Sequence, residues 1–413
     1  MRRIARDVAT MLFSLSYTRL IRLLFFVAIS RVLGPSELGI YATLAAYVRI
    51  VWPLAHLGHS HLFVQHLSTR KPLPSPLFFS GFVFGSGLAL VLSALGALGF
   101  YYLLRFPLPW GILFLFIFGE VATYALLDLI QGIFQGREEF KKIAGYILGA
   151  FPTLRLAVVV LLWLSFHGQF HLPHLILALV PVELLFVGLL ILLRVPREIF
   201  TFQLTLREVR RGLPFSLSTL SIEVYGNIDK MMLAAFTAHA VVGVYTVAYR
   251  LVQYALFPLS ALLTVSYPRF FRAGSKSLHH SMALGLRLMP LALLYAIAVV
   301  LFLWTLGSWL VQGIFGMEYL PSVGILKVLS LTLLFQAAHR VVGDALTGAG
   351  HQPLRTGAIM LTVLINGVLN LLLIPRYQGY GAAWATVLSE ASLLLILLGI
   401  AIRLLMRGPQ PTG

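Results

Sequence analysis

Apolar residues fill this chain in long blocks, parted by short polar or Gly/Pro-rich breaks. A run of about 20 apolar residues spans the hydrocarbon core as one helix. Such blocks cover 10–33, 39–64, 77–104, 110–135, 143–165, 173–194, 213–235, 239–267, 282–310, 320–348, 352–375 and 379–405. They are too long and too continuously apolar for the alternating strands of a membrane barrel. The pattern therefore predicts an all-α polytopic membrane protein of about 12 transmembrane helices. Gly34-Pro35, the series Pro72, Pro74 and Pro76, and the run Gly136-Arg137-Glu138-Glu139 punctuate the first half. Met1-Arg2-Arg3 resembles the start of a signal peptide, but Arg19 and Arg22 interrupt the apolar stretch and no small-residue cleavage site follows. The first helix is expected to stay attached.

The halves repeat each other. Residues 38–54 read LGIYATLAAYVRIVWPL and residues 242–259 read VGVYTVAYRLVQYALFPL, with Gly39 and Gly243 204 residues apart. Both stretches start Gly-x-Tyr, carry an arginine soon after, and reach Pro53 or Pro258, where a kink is expected. Six helices per half give both halves one orientation, as in transporters with parallel repeats. The expected domains are a six-helix bundle over 1–205 and another over 206–413. Residues 195–212 join them, with Ile199, Phe202, Leu206 and Val209 at helical spacing among Arg197, Arg207, Arg210 and Arg211. That predicts an amphipathic helix on the inner membrane surface.

Composition excludes an ordinary soluble domain: 59% of residues are hydrophobic, 11% are charged, and mean hydropathy is +0.91. Of 31 basic residues, twenty fall on the side of the N-terminus and three, Arg31, Arg105 and Arg376, on the other. Basic loops stay cytoplasmic, so both termini are expected inside, in a multi-pass protein of the inner (plasma) membrane. The same bias explains the +17 charge without nucleic acid as a partner. There is no cysteine, hence no disulfide and no thiolate metal site.

Cations also lie where lipid should be: Arg19, Arg22, Arg49 and Arg250 occupy the first, second and eighth blocks, which hold no acid at depth. A cation at the bilayer centre costs roughly 2.5–3.5 kcal/mol on insertion scales, so it normally faces a protein-lined or aqueous interior. Arg19 and Arg22 share a helix face, and an arginine fork matches phosphate oxygens. These cations, with Lys230 as a weaker member beside Asp229, are the candidate anion-binding group; structural pairing is the competing reading. Arg155 and Arg340, close to acid-bearing helices, read as structural. Asp128, Glu223 and Asp344 are the candidates for sensing a coupling cation. Glu120, Tyr124, Asp128, Gln131 and Gln135 form one polar stripe, read either as a cavity wall or as a hydrogen-bonded seam between helices. His56, His59, His61 and His66 cluster without a carboxylate close by in sequence, so no metal site is expected. No P-loop, G-x-S-x-G or H-E-x-x-H occurs, which argues against an enzyme and against any cofactor.

The stretch ISRVLGPSELGIYATLAAYVRIVWPLAHLG (29–58) resembles the opening of the bacterial polysaccharide exporters, the oligosaccharide flippase family. LPFSLSTLSIEVYGNIDKMMLAAF (213–236), GIFGMEYLPSVGILKVLSL (313–331) and LNLLLIPRYQGYGAAWATVLSE (369–390) resemble later segments of that family, in order. The resemblance implies the multidrug/oligosaccharidyl-lipid/polysaccharide exporter fold, two six-helix bundles around a central cavity. It implies a flippase that carries a polyprenyl-pyrophosphate-linked oligosaccharide to the outer leaflet by alternating access. The implied partners are that lipid-linked oligosaccharide, membrane lipids, H+ or Na+ as coupling ion, and the polysaccharide polymerase machinery. The alternatives are a multidrug exporter of the same superfamily, a lipid II flippase, and a membrane glycosyltransferase or polymerase, which should show a large outer loop.

Overall fold

One residue turns the first long helix into two. The computed structural model describes residues 2–68, 77–195 and 206–406, and every regular element among them is helical. Helix α1 runs Arg2–His56 and is bent at Gly34 (φ 67, ψ 175), a conformation open to glycine because it lacks Cβ. Pro35 then starts the second segment, where its missing N–H costs nothing. The second apolar block, expected to reach residue 64, stops at His56. Leu57 (φ 51) and Gly58 (φ 68) turn the chain into α2 (His59–Ser68). A Cβ on Gly58 would fall on the Gly212 carbonyl oxygen, so this turn is glycine for space as well as for φ.

Two compact units divide the chain, Met1–Met231 and Met232–Gly413. The first holds α1, α2, α3 (Leu77–Leu98), α4 (Trp110–Gly136), α5 (Phe140–Lys142), α6 (Phe151–Ser165), α7 (Leu172–Arg194) and most of α8 (Leu206–Phe236). Helix α3 runs on into a π-helical stretch, Gly99–Leu103, and a second one, Ile143–Ala150, links α5 to α6. Helix α4 is central and packs on α1, α2, α3 and α7. Phe63, Ile130, Phe134, Ile147, Phe151 and Val187 form part of its apolar core. Glu37, just past the α1 corner, caps α7: its carboxylate accepts from the Leu172 N–H at 2.7 Å and lies 2.9 Å from His171 Nδ1. A carboxylate there also suits the helix dipole.

The second unit contains α9 (His239–Ala255), α10 (Phe257–Gly274), α11 (Leu278–Phe315), α12 (Ser322–Ser330), α13 (Thr332–Gly348) and α14 (Gln352–Met406). Its centre is α13, packed on α10, α11 and α14. A Cβ on Gly274 would collide with the Gly348 carbonyl oxygen, so the ends of α10 and α13 approach at backbone contact. Helix α14 bends at Gln378 (φ 50, ψ −126), as α1 does at Gly34. Pro258 does not kink a continuous helix: α9 ends at Ala255, and Pro258 lies in the first turn of α10, where a proline is tolerated.

Nine helical stretches among the described residues are long and apolar enough to cross a membrane, including the bent α1 and α14. Helix α8 is not among them; it carries Glu208, Glu223, Asp229 and Lys230. Large apolar side chains point outward, Leu192 73% and Trp309 79% exposed, as lipid solvent demands and water forbids. The Pro72, Pro74 and Pro76 series and residues 196–205, which include Ile199 and Phe202, lie outside the described residues. Leu206 and Val209 belong to the first turn of α8.

Candidate functional site

The polar stripe of α4 is occupied from end to end of its first three positions. Glu120 accepts from the two terminal guanidinium nitrogens of Arg155, Nη2 at 2.7 Å and Nη1 at 3.2 Å. Arg155 Nε lies 3.1 Å from Glu183 on α7, and its fork also donates to the hydroxyls of Tyr41 and Tyr124. One buried cation therefore ties α1, α4, α6 and α7 together. That is the structural role expected of Arg155.

One turn along the stripe, Tyr124 offers its ring to Arg49 of α1, whose guanidinium carbon sits 4.8 Å from the ring centroid. Arg49 approaches Glu223 of α8 no closer than 4.0 Å, and Glu223 also accepts from Asn227 at 3.1 Å. The Arg49 side chain stays 35% exposed, whereas that of Arg155 is 10% exposed. The two arginines thus have different work: Arg155 is saturated by two carboxylates, and Arg49 keeps an open face. Asp128, the third stripe position, lies 3.4 Å from His56 Nδ1, and His56 stacks on Trp52. The carboxylate that the histidine cluster lacks in sequence comes to it through the fold. Even so, no group of three potential ligands able to hold a metal occurs among the described residues.

The remaining predicted residues are scattered over the two units. Arg19 and Arg22 are exposed on the first segment of α1. Lys230 is buried, donating to Asp229 at 3.1 Å and to the Gly226 carbonyl at 3.1 Å. Arg250, exposed on α9, belongs to the second unit. So does Asp344, which accepts from Arg355 at 2.9 Å and so locks the end of α13 to the first turn of α14.

The second unit also buries a site that the sequence reading did not single out. Glu390 on α14 accepts from Gln336 at 2.8 Å and lies 2.7 Å from His339 Nε2, both on α13. Nearby on the same helix, Asn370 donates to Asn366, which donates to Ser389. The signal was there: Glu183 and Glu390 are 207 residues apart, close to the 204-residue offset of the glycine-tyrosine repeat. Each half ends in an apolar block with one buried acid.

The profile of a family described as polysaccharide biosynthesis protein matches residues 4–273. A probable low-salt glycan biosynthesis flippase of Haloferax volcanii, Agl15, is 23% identical over 177 residues, 42% of this chain and 37% of that protein. The chain thus aligns with little more than a third of that relative's length. Among solved structures, an inward-facing multidrug resistance MATE family transporter of the MOP superfamily superposes with a TM-score of 0.71 at 14% identity, over 95% of this chain and 96% of that one. The lipid II flippase MurJ, inward closed, gives 0.66 at 15% identity over 95% and 87%. The chain shares its fold with these two transporters, an all-α membrane fold as the apolar pattern predicts.

Proposed function

The chain belongs to the polysaccharide biosynthesis protein family, and we propose that it is a flippase for a polyprenyl-pyrophosphate-linked oligosaccharide. The observation that carries this reading is the contrast between Arg49 and Arg155: one intramembrane arginine is consumed by two carboxylates, and the other stays partly open. Arg19, Arg22 and Arg250 are the further candidates to meet the paired phosphates of the substrate, since an arginine fork matches phosphate oxygens. In this reading the protein opens a cavity to each leaflet in turn, with both termini cytoplasmic in the inner (plasma) membrane. The sugar-pyrophosphate head enters that cavity. The polyprenyl tail stays in lipid, because each CH₂ moved out of hydrocarbon costs ~0.8 kcal/mol. A multidrug exporter for cationic compounds is disfavoured: the acids Glu120 and Glu183, which would have to meet such a compound, are already engaged by Arg155.

Alternating access needs a driving force, and Asp128 and Glu223 stand beside His56 and Arg49, where a cation gradient would be sensed. The test is reconstitution in proteoliposomes with a labelled lipid-linked oligosaccharide. The reading expects leaflet exchange that is lost in R49A and accelerated by an imposed proton or sodium gradient. Exchange no faster than in empty liposomes removes the flippase assignment. Exchange indifferent to every gradient removes only the coupling.

A further inference from the structure

Where α10 ends and α11 begins, the chain turns through Ser275–Ser277 and leaves a cavity of about 650 Å³. Arg269, Arg272 and Lys276 line it from α10 and the turn; His280, Leu284 and Arg287 line it from α11. The spacing of three puts Arg269 and Arg272 on one face of α10, the spacing of seven puts His280 and Arg287 on one face of α11, and Lys276 follows in the turn. Ser277 caps α11 and fixes His280, with its Oγ 2.7 Å from His280 Nδ1. All four Arg and Lys side chains are exposed. No acidic residue occurs anywhere between Met231 and Met317, so this stretch of chain supplies no counter-charge of its own.

Four like charges around one concavity repel one another unless an anion joins them. Depth and surroundings say which anion. Arg287 lies nine residues beyond the first residue of α11, roughly 13 Å of helix rise from its start, so the cavity runs along the helix and not only across its end. Ala273, Ala283 and Leu284 give the lining its apolar part, and the exposed Phe271 and Leu286 lie on the adjoining helix faces, 46% and 67% exposed. A soluble phosphate has no use for such flanks; acyl chains do. Basic pockets between membrane helices on the cytoplasmic side hold anionic headgroups in this way.

We propose that the α10–α11 cavity binds the phosphate headgroup of an anionic phospholipid, through Arg269, Arg272, Lys276 and Arg287, with its acyl chains along Phe271 and Leu286. None of these residues belongs to the transport site. The binding therefore stands or falls independently of the flippase reading.

Native mass spectrometry of the purified full chain in neutral micelles tests it, titrating phosphatidylglycerol against phosphatidylcholine of the same chain length. Wild type should retain phosphatidylglycerol on the order of a hundredfold more tightly, and the R269Q/R272Q/R287Q variant should fall close to parity, about fivefold per cation lost. K276R should keep the preference. Equal retention of phosphatidylglycerol by wild type and the triple variant overturns the proposal. So does its displacement by millimolar inorganic phosphate, which would make the site one for a soluble ion. If the triple variant does not elute as a single species, R272Q and R287Q carry the test singly, and no change in either overturns it.

Discussion

Glu120 holds Arg155 in a two-point grip, with Nη2 2.7 Å from one carboxylate oxygen and Nη1 3.2 Å from the other. Glu183 closes on the same guanidinium from α7 at 3.1 Å. Such a group is costly to break and cheap to replace whole, since the penalty lies in leaving a buried charge alone. R155M should therefore lower stability by about 3–5 kcal/mol, read as a large drop in the melting temperature of detergent-purified protein. Adding E120Q and E183Q to R155M should restore most of that loss. Equal melting of R155M and wild type would show that the cluster holds nothing together.

Arg49 makes the opposite prediction. Its contact with Glu223 is long and partly exposed, and such pairs contribute ~0–1 kcal/mol. R49A should leave protein abundance and melting close to wild type while abolishing glycan export. R22K should restore only part of the export lost in R22A, since an ammonium replaces a planar fork. A folded R49A that exports normally would return Arg49 to a structural role.

The α10–α13 crossing depends on the absence of side-chain carbon. A Cβ on Gly348 would lie 2.5 Å from the Phe270 carbonyl oxygen, against backbone that cannot swing aside. G348A and G274A should each cost about 1–3 kcal/mol through forced separation of the helices. Gly357, inside α14 with open space around it, is the control: G357A should be neutral or stabilise by up to ~1 kcal/mol. Thermal melting of the three variants decides.

The proposed topology is open to direct labelling because the chain has no cysteine of its own. Cysteines placed singly at Ser36, exposed beside the α1 corner, and at Glu138, exposed after α4, should react from opposite faces of sealed vesicles. Reaction of both from one face would overturn the orientation.

Helix class and most helix ends were legible because apolar length and Gly/Pro punctuation are local: Gly34-Pro35 marks a corner, and Gly136 ends α4. The polar stripe of α4 was legible too, but its meaning was not. Which partner meets Glu120, Tyr124 or Asp128 depends on how α1, α6, α7 and α8 rotate against it, and apolar periodicity inside lipid scarcely fixes rotation. Arg155 is 35 residues from Glu120, and His56 is 72 from Asp128. Asp344 shows the same limit, since its partner Arg355 reads in sequence as a residue of the membrane surface.

The corner at Gly34 leaves no slack. A loop of several residues would let its two flanking rods drift apart, but here the rods share one residue and therefore pivot on only two soft torsions. The angle between the arm bearing Arg19 and Arg22 and the arm bearing Arg49 can change, as in a carpenter's bevel, but the point where they meet cannot. A jointed bracket of this kind changes angle without changing length, so a short flexible insertion after Gly34 should let the arms part while leaving each of them helical.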